Sequence, residues 1–115
     1  MRKILWLSRH APQSAQINEL EDVFGEVEII QVAAIVNNAD DVISLMRKYK
    51  VDDIVAVLPL TIIAAITYRG IHPIRAVMKK SNEGSETTFI HDHFDRIEHV
   101  TVTSHPLRSD EWEES

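Results

Sequence analysis

The hydrophobic positions of this chain form short apolar runs that alternate with segments in which apolar residues recur every three or four positions. Short apolar runs bounded by turn residues predict buried strands, and the three-to-four spacing predicts amphipathic helices. The predicted strands are, in chain order, Ile4–Ser8, Val27–Val32, Ile54–Leu58 and Pro73–Met78. The third run has no polar alternation, which is typical of a parallel strand covered on both faces.

Three helices are predicted in the segments that separate these strands. The first ends at Gly25, a residue that commonly stops a helix. The third covers Ile62–Arg69. Each helix has residues that favour a helix start. Pro12 is predicted as the first residue of the first helix, and Thr61 as the cap of the third. The cap candidates of the second helix are Asn37, Asn38 and Asp40.

From residue 87 onward the pattern changes to polar–apolar alternation. This alternation predicts an antiparallel hairpin with one solvent-exposed face, formed by Thr87–Phe94 and Ile97–Thr103 with a turn at Asp95-Arg96. The preceding strand–helix repeats favour right-handed crossovers and a parallel sheet. We therefore predict an α/β domain over residues 1–107, a small Rossmann-like or flavodoxin-like three-layer sandwich with four parallel strands plus a C-terminal antiparallel hairpin. Residues 108–115 are predicted to be an acidic flexible tail.

Composition narrows the classes of function. With 115 residues, 44% of them hydrophobic, the chain has enough apolar material for one packed domain. It has no cysteine, which excludes disulfides, thiolate nucleophiles and thiolate zinc sites. The net charge of −6 disfavours binding to duplex nucleic acid. No apolar run approaches the roughly 20 residues of a membrane span, and the N-terminal run is too short for a signal peptide. We expect a cytoplasmic protein that does not associate with membranes.

Candidate ligand-binding residues follow the predicted strands. In open parallel sheets, ligands bind beyond the carboxyl ends of the strands, where helix N-termini also favour anions. The loops at that edge offer a guanidinium, an amide, a hydroxyl and two ammonium groups, from Arg9, Asn37, Thr61, Lys79 and Lys80. These residues predict a site for a small phosphate-bearing ligand. The alternative is that the loops are only solvated.

The sharpest single signal is Ser8-Arg9-His10, which comes directly after the first predicted strand. An imidazole there could act as acid, base or nucleophile near neutral pH, and a guanidinium could hold a phosphate through its fork of donors. We therefore take Ser8 and His10 as candidate catalytic residues and Arg9 as a ligand-binding residue. The alternative is that Arg9 and His10 cap helix ends or face water, so whether the protein is an enzyme stays open.

The segment Ile4–Ala11 resembles the strand and Arg-His motif of histidine phosphatases. The resemblance implies that His10 is phosphorylated during turnover and that Arg9 holds the phosphate. That family also needs a second arginine and a second histidine in its pocket. Ile63 and Ala64 stand where the second arginine would be wanted.

A strand that ends in Ser8-Arg9-His10, followed by Pro12 and a helix in a chain this small, also resembles CRISPR-associated Rossmann-like proteins. Some of these bind or cleave cyclic oligoadenylates, usually as homodimers. The resemblance implies a metal-independent cyclic oligonucleotide phosphodiesterase of the ring-nuclease type, with no cofactor. Arg9 would bind a phosphate, and Ser8 or His10 would orient the ribose 2′-hydroxyl or the leaving oxygen. A glycine-rich dinucleotide loop is missing, since the chain has only three separate glycines.

Histidines form a second cluster in the predicted hairpin. On a strand, His91 and His93 would share a face and could share a metal ion. The run His91–Asp95 resembles the His-x-His-x-Asp part of metallo-β-lactamase-type hydrolases, which would want another histidine where Arg96 stands. The alternative, which we favour, is the exposed face of a hairpin, so no metal is predicted.

Three function classes remain open. The first is a domain that binds a nucleotide or other phosphate-bearing ligand, and it has the best support because its candidate groups are expected at one edge of the sheet. The second is a non-enzymatic accessory or interaction protein of phage or mobile-element type, and the third is a histidine-phosphatase-like phosphohydrolase. A homodimer is also predicted, since small domains bury less of their surface and the hairpin has part-exposed apolar positions.

Overall fold

The computed structural model describes residues 1–81, 87–101 and 105–107. The described chain alternates strands and helices and then ends on two consecutive strands. Its elements are β1 (Arg2–Leu7), α1 (Ser14–Phe24), β2 (Val27–Val32), α2 (Ala39–Tyr49), β3 (Asp53–Ala56), α3 (Leu60–Tyr68), β4 (Ile74–Ser81) and β5 (Thr88–Arg96). Within this part of the chain, none of the helices has the length and apolar character needed to cross a bilayer.

The five strands form one sheet in the order β2-β1-β3-β4-β5. The first four run parallel, and β5 runs antiparallel to β4. The predicted α/β fold of four parallel strands with an antiparallel C-terminal hairpin is therefore confirmed, and the order of the first four strands is the flavodoxin-like one. The chain leaves β1 toward β2 on one side and then crosses to β3 on the other. The strand order thus reverses between β1 and β3, which opens a crevice at their carboxyl ends.

The sheet separates two apolar layers, as a three-layer sandwich requires. Alternate residues of β1 face opposite sides, because side chains along a strand alternate. Ile4 and Trp6 face α1, and Leu5 and Leu7 face the opposite side of the sheet, toward α2 and α3. The buried residues of the α1 layer are Ile4, Trp6, Leu20, Val55 and Ile74, and those of the other layer are Leu5, Leu7, Ala39, Val42, Ile54, Ala56, Ile62 and Ile66.

Two predicted helix starts were wrong. Pro12 is not the first helical residue, because α1 begins at Ser14 after Gln13 as N-cap. Thr61 does not cap α3, since the helix already begins at Leu60 with Pro59 as its N-cap. In both cases proline lies just ahead of the helix, where its fixed φ leads the chain into the first turn. The second helix begins as predicted, with the Asn38 side chain accepting a hydrogen bond from the Asp41 N–H at 2.9 Å.

The partners within the C-terminal hairpin also differ from the prediction. β5 pairs with β4, from Ile74 opposite Arg96 to Ser81 opposite Thr88. Asp95 and Arg96 therefore end β5 instead of forming a turn, and residues 97–101 are not in a strand. Residues 102 and 103, the end of the predicted second strand, lie outside the described residues. β5 pairs with β4 because β4 is close to it in the chain and has a free edge along which backbone hydrogen bonds can form.

An ion cluster joins the strands at the opposite end of the sheet from the crevice. Asp53, the first residue of β3, is 4% exposed and receives the guanidinium of Arg96 in a two-point contact of 2.7 and 2.8 Å. Arg2 donates to the same carboxylate at 3.0 Å. Both guanidiniums also lie over the ring of Phe24. The cluster fixes the ends of β1, β3 and β5 to one another.

Candidate functional site

A cavity of about 480 Å³ lies where the strand order reverses. This is the position at which open α/β sheets bind ligands, and the volume suits a small organic molecule. Its walls come from the ends of β1 and β3, the first turn of α1, and β4. The lining residues are Trp6, Leu7, Ser8, His10, Ala11, Gln13, Gln16, Val55, Ala56, Val57, Ala76 and Met78.

Hydrogen bonds hold the loop after β1 in place along one wall of the cavity. The indole Nε1–H of Trp6 donates to the His10 carbonyl at 2.7 Å, and the His10 N–H donates to the Ser8 Oγ at 3.1 Å. The Gln31 side chain, from β2, donates to the Ser8 carbonyl at 3.3 Å. Three contacts within four residues fix the backbone of this loop, so the cavity wall is preformed.

The first turn of α1 supplies a second wall. The Gln13 N–H donates to the Gln16 Oε1 at 2.8 Å, which satisfies one of the backbone donors that a helix start leaves without an intrahelical partner. The Gln16 Nε2 faces the Met78 sulfur at 3.9 Å, across to β4. Gln16 is only 5% exposed although it is polar, and it lines the cavity. The amide therefore lies at the junction of the helix, the sheet and the cavity.

The structure brings together two of the predicted site residues, Ser8 and His10, which both line the cavity. Arg9 lies between them and is exposed. Among the described hydrogen bonds, none joins the Ser8 hydroxyl to the His10 ring, so a nucleophile–base pair is not preformed there. The catalytic roles of these two residues stay predictions.

The other predicted ligand-binding residues do not line this cavity. Asn37 is exposed ahead of α2, and its N–H donates to the Asp41 carboxylate at 2.8 Å. Thr61 is exposed in the first turn of α3. Lys79 and Lys80 are exposed on β4, and the Lys79 ammonium lies 3.9 Å from an Asp92 oxygen. The predicted convergence failed for the lysines because β4 continues to Ser81, which keeps both of them within a strand.

Sequence reasoning missed the residues that give the cavity its shape and polarity: Trp6, Gln13, Gln16 and Met78. One signal was present, because two glutamines three positions apart fit the spacing of a capping box and mark a helix start at Gln13. No local signal identifies Met78. Its place in the wall depends on the pairing of β4 with β3.

The two histidines of β5 do not share a face, contrary to the prediction. In the ladder with β4, His93 lies opposite Val77 and His91 opposite Met78, so Asp92 is the extra residue of a β-bulge. The bulge shifts the alternation by one residue, which turns the two imidazoles to opposite sides of the sheet. Among the described residues there is no group of three or more side chains suited to hold a metal ion.

His91 is buried against α1. Its side chain is 3% exposed, and its Nε2 lies 2.8 Å from the Glu19 Oε1. The other oxygen of Glu19 accepts the Phe94 N–H at 2.8 Å. A single carboxylate thus joins the helix to both sides of the bulge, which assigns His91 a structural role.

His93 is exposed and lies between two carboxylates. Its Nδ1 is 2.6 Å from an Asp92 oxygen, and its Nε2 is 3.1 Å from an Asp95 oxygen. The hydrogen bond to Asp92 raises the pKa of His93, and the charge of Asp95 adds to the effect. The same hydrogen bond lowers the pKa of Asp92. This cluster favours a protonated imidazole on the open face of the hairpin.

A second recess, of about 500 Å³, lies between α3 and residues 97–100. Charged and apolar residues line it in similar numbers, but Arg75 and Asp95 already pair with each other at 3.3 Å and Arg96 is held by Asp53. The described residues that line the crevice at the strand reversal form no ion pairs with one another. We therefore take the cavity at the reversal of strand order as the candidate site. We name it the switch-point cavity, and its lining residues are the twelve given above.

Comparisons with protein-family models, curated proteins and solved structures give no match for this chain. The site must therefore be interpreted from its own chemistry. Of the described residues that line the switch-point cavity, His10 is the one with an imidazole, and none carries a guanidinium. The two arginines and two histidines of a histidine phosphatase pocket are not assembled there.

Proposed function

We propose that this chain is a binding domain for a small nucleotide, held in the switch-point cavity. The observation that carries the proposal is the cavity itself: a preformed space at the reversal of strand order, with mostly apolar walls and a few fixed polar groups. Such a combination is the usual form of a small-molecule site. A phosphate-bearing ligand was predicted from the sequence at this edge of the sheet, where Ser8 and His10 line the cavity.

The anionic part of the ligand is supported by the start of α1. This helix has 11 residues, and its first turn lines the cavity through Gln13 and Gln16. Free backbone N–H groups and the helix dipole make such a start favourable for an anion. The first turn contains no acidic residue that would repel it. Arg9 is exposed in the adjacent loop, between Ser8 and His10, which line the cavity.

The flat, apolar part of the ligand is supported by the sheet side of the cavity. Trp6, Val55, Ala76 and Met78 form a largely apolar wall. Aromatic and apolar side chains of this kind are suited to the faces of a nucleobase, and a thioether is soft and adaptable. A ligand that carries both a planar ring and a phosphate would contact this wall and the helix start together.

The proposal is tested by thermal unfolding and calorimetric titration with nucleoside monophosphates, the parent nucleosides and inorganic phosphate. A ligand at a hundred times its Kd stabilises a protein by about 2.7 kcal/mol, which is readily seen as a rise in Tm. We expect monophosphates to bind more tightly than either part alone. If neither the nucleotides nor their parts bind, the proposal is refuted.

A matched pair of variants locates the binding. Val57 is 87% exposed at the rim of the cavity, so Val57→Trp should obstruct the entrance without disturbing the core. Val23→Trp makes the same change at an exposed position of α1 that does not line this cavity. Nucleotide binding should weaken at least tenfold in the first variant and stay unchanged in the second. Equal effects would place the ligand elsewhere.

A specific observation also favours the interaction-protein alternative, with a second copy of the chain as partner. β5 has no neighbour on its outer side within the described sheet, and Phe89 on this strand is 63% exposed. An unpaired, partly apolar edge strand is suited to pairing with another edge. Light scattering on wild type and Phe89→Lys tests this: we expect a dimer that the substitution dissociates, and a monomeric wild type would contradict it.

A further inference from the structure

Gln16 carries a carboxamide in the wall of the switch-point cavity and is only 5% exposed. Half of its hydrogen-bonding capacity has a structural purpose, because Oε1 accepts the Gln13 N–H at 2.8 Å. The other half does not. The Nε2 carries two N–H donors, and it contacts the Met78 thioether, a weak acceptor, at 3.9 Å.

The bond to Gln13 also fixes which way the amide faces. Turning the carboxamide over would set an N–H against the Gln13 N–H, so the oxygen stays at the helix start and the nitrogen stays on the side of Met78 and the cavity. Gln16 therefore turns its donors toward Met78 and the cavity, while its oxygen is held at the helix start. Buried donors without a good partner are costly, so a ligand group that accepts from Nε2 gains the bond at little cost in ordering the side chain.

We propose that Gln16 selects the base of the bound nucleotide and prefers 6-oxopurines, such as guanine and hypoxanthine, to adenine. This inference rests on the proposed function. A glutamine with both ends free pairs with adenine by accepting from N6 and donating to N7, but here the bond from the Gln13 N–H holds the oxygen at the helix start. The Nε2 donor group matches an edge that presents acceptors and no donor. O6 and N7 of a 6-oxopurine form such an edge, whereas adenine presents an N6 donor against the Gln16 donors.

The test compares the Kd of GMP and IMP with that of AMP for three proteins. In wild type, we expect AMP to bind at least tenfold more weakly, as the loss of one good hydrogen bond implies. Gln16→Glu keeps an oxygen for the Gln13 N–H, and glutamate is a favoured residue at this helix position, so the fold should be retained. It replaces the donors by an acceptor, and the preference for 6-oxopurines should disappear or reverse.

Gln13→Glu is the matched control, since it adds the same charge at the same helix start and also lines the cavity. It should weaken all three nucleotides alike and leave their ratio unchanged. If Gln16→Glu does not fold, Gln16→Met fills the same space without donors and should bring the ratio close to one.

The outcomes separate the inference from the proposed function. Nucleotide binding without a base preference, a preference for AMP, or a preference that survives in Gln16→Glu or Gln16→Met would overturn the role of Gln16 and leave the binding function standing. Absence of any nucleotide binding by wild type would overturn both. A 6-oxopurine preference that depends on residue 16 and not on residue 13 would support the inference.

Discussion

Asp53 offers the sharpest test of what holds the sheet together. Its buried carboxylate accepts two hydrogen bonds from Arg96 and one from Arg2, all between 2.7 and 3.0 Å. Asp53→Ala leaves both guanidiniums without their counter-charge at this end of the sheet. Removing one partner of a buried ion pair typically costs about 3–5 kcal/mol. Both arginine side chains are 38% exposed and can regain water, so we expect a smaller loss of about 2–4 kcal/mol in the free energy of unfolding.

The assay is urea denaturation followed by circular dichroism, with the slope m used to check that the unfolded states are comparable. Asp40→Ala is the matched control, because it removes a carboxylate that pairs with Arg69 on the surface. An exposed pair of this kind contributes about 0–1 kcal/mol. If Asp53→Ala costs no more than Asp40→Ala, the cluster does not stabilise the sheet and our account of it is refuted.

Asp53→Asn separates charge from shape. The asparagine oxygen can still accept one hydrogen bond, but its NH₂ group would face a guanidinium N–H, which sets donor against donor. The two-point contact with Arg96 therefore cannot form. We expect this variant to lose nearly as much stability as Asp53→Ala. The Arg96 guanidinium stays charged in this variant, because arginine is not deprotonated at the pH of such an experiment.

Three further predictions concern single contacts. Glu19→Ala should lower the free energy of unfolding by about 1–3 kcal/mol in urea denaturation, because the Phe94 N–H and a buried imidazole lose their acceptor; a loss under about 0.5 kcal/mol would contradict this. In an NMR titration, the pKa of His93 should lie above the ordinary histidine value of 6.5. Asp92→Asn should lower this pKa, and an unchanged pKa in that variant would contradict the prediction. The sign follows from the shifts: the pair stabilises the fold between the lowered pKa of Asp92 and the raised pKa of His93, and is lost as pH leaves that window on either side. Asn38→Ala should cost about 1 kcal/mol in urea denaturation, through loss of the cap of α2.

The order of elements could be predicted from the sequence because each one has a local cause. Apolar runs produced the parallel strands, and Val27–Val32 was predicted with its observed bounds. The pairing of β5 was not local. Alternation from residue 87 onward indicates a strand but does not say which neighbour it joins, and the choice of β4 over Ile97–Thr103 depends on which free edge is within reach.

The site was harder to predict than the fold, and the reasons are geometric. Ser8 and His10 were found because they directly follow a strand whose end position could be read from the sequence. Lys79 and Lys80 were misplaced because the predicted end of β4 was three residues early, so a strand was taken for a loop. The two histidines of β5 were misplaced because a single extra residue reverses every later side chain, and no sequence pattern marked the bulge at Asp92.

The distribution of charge explains how a chain with a net charge of −6 can offer a site to an anion. At the amino ends of the strands, the buried carboxylate of Asp53 is matched by two arginines, so its charge is neutralised where it lies. At the carboxyl ends, the described residues that line the switch-point cavity include no carboxylate. Surface acids act over about one Debye length, near 8–10 Å at physiological salt, and their repulsion is weakened beyond that distance. The selectivity of the cavity must then come from neutral groups at fixed positions, the Gln16 amide and the first turn of α1, and not from the total charge of the protein.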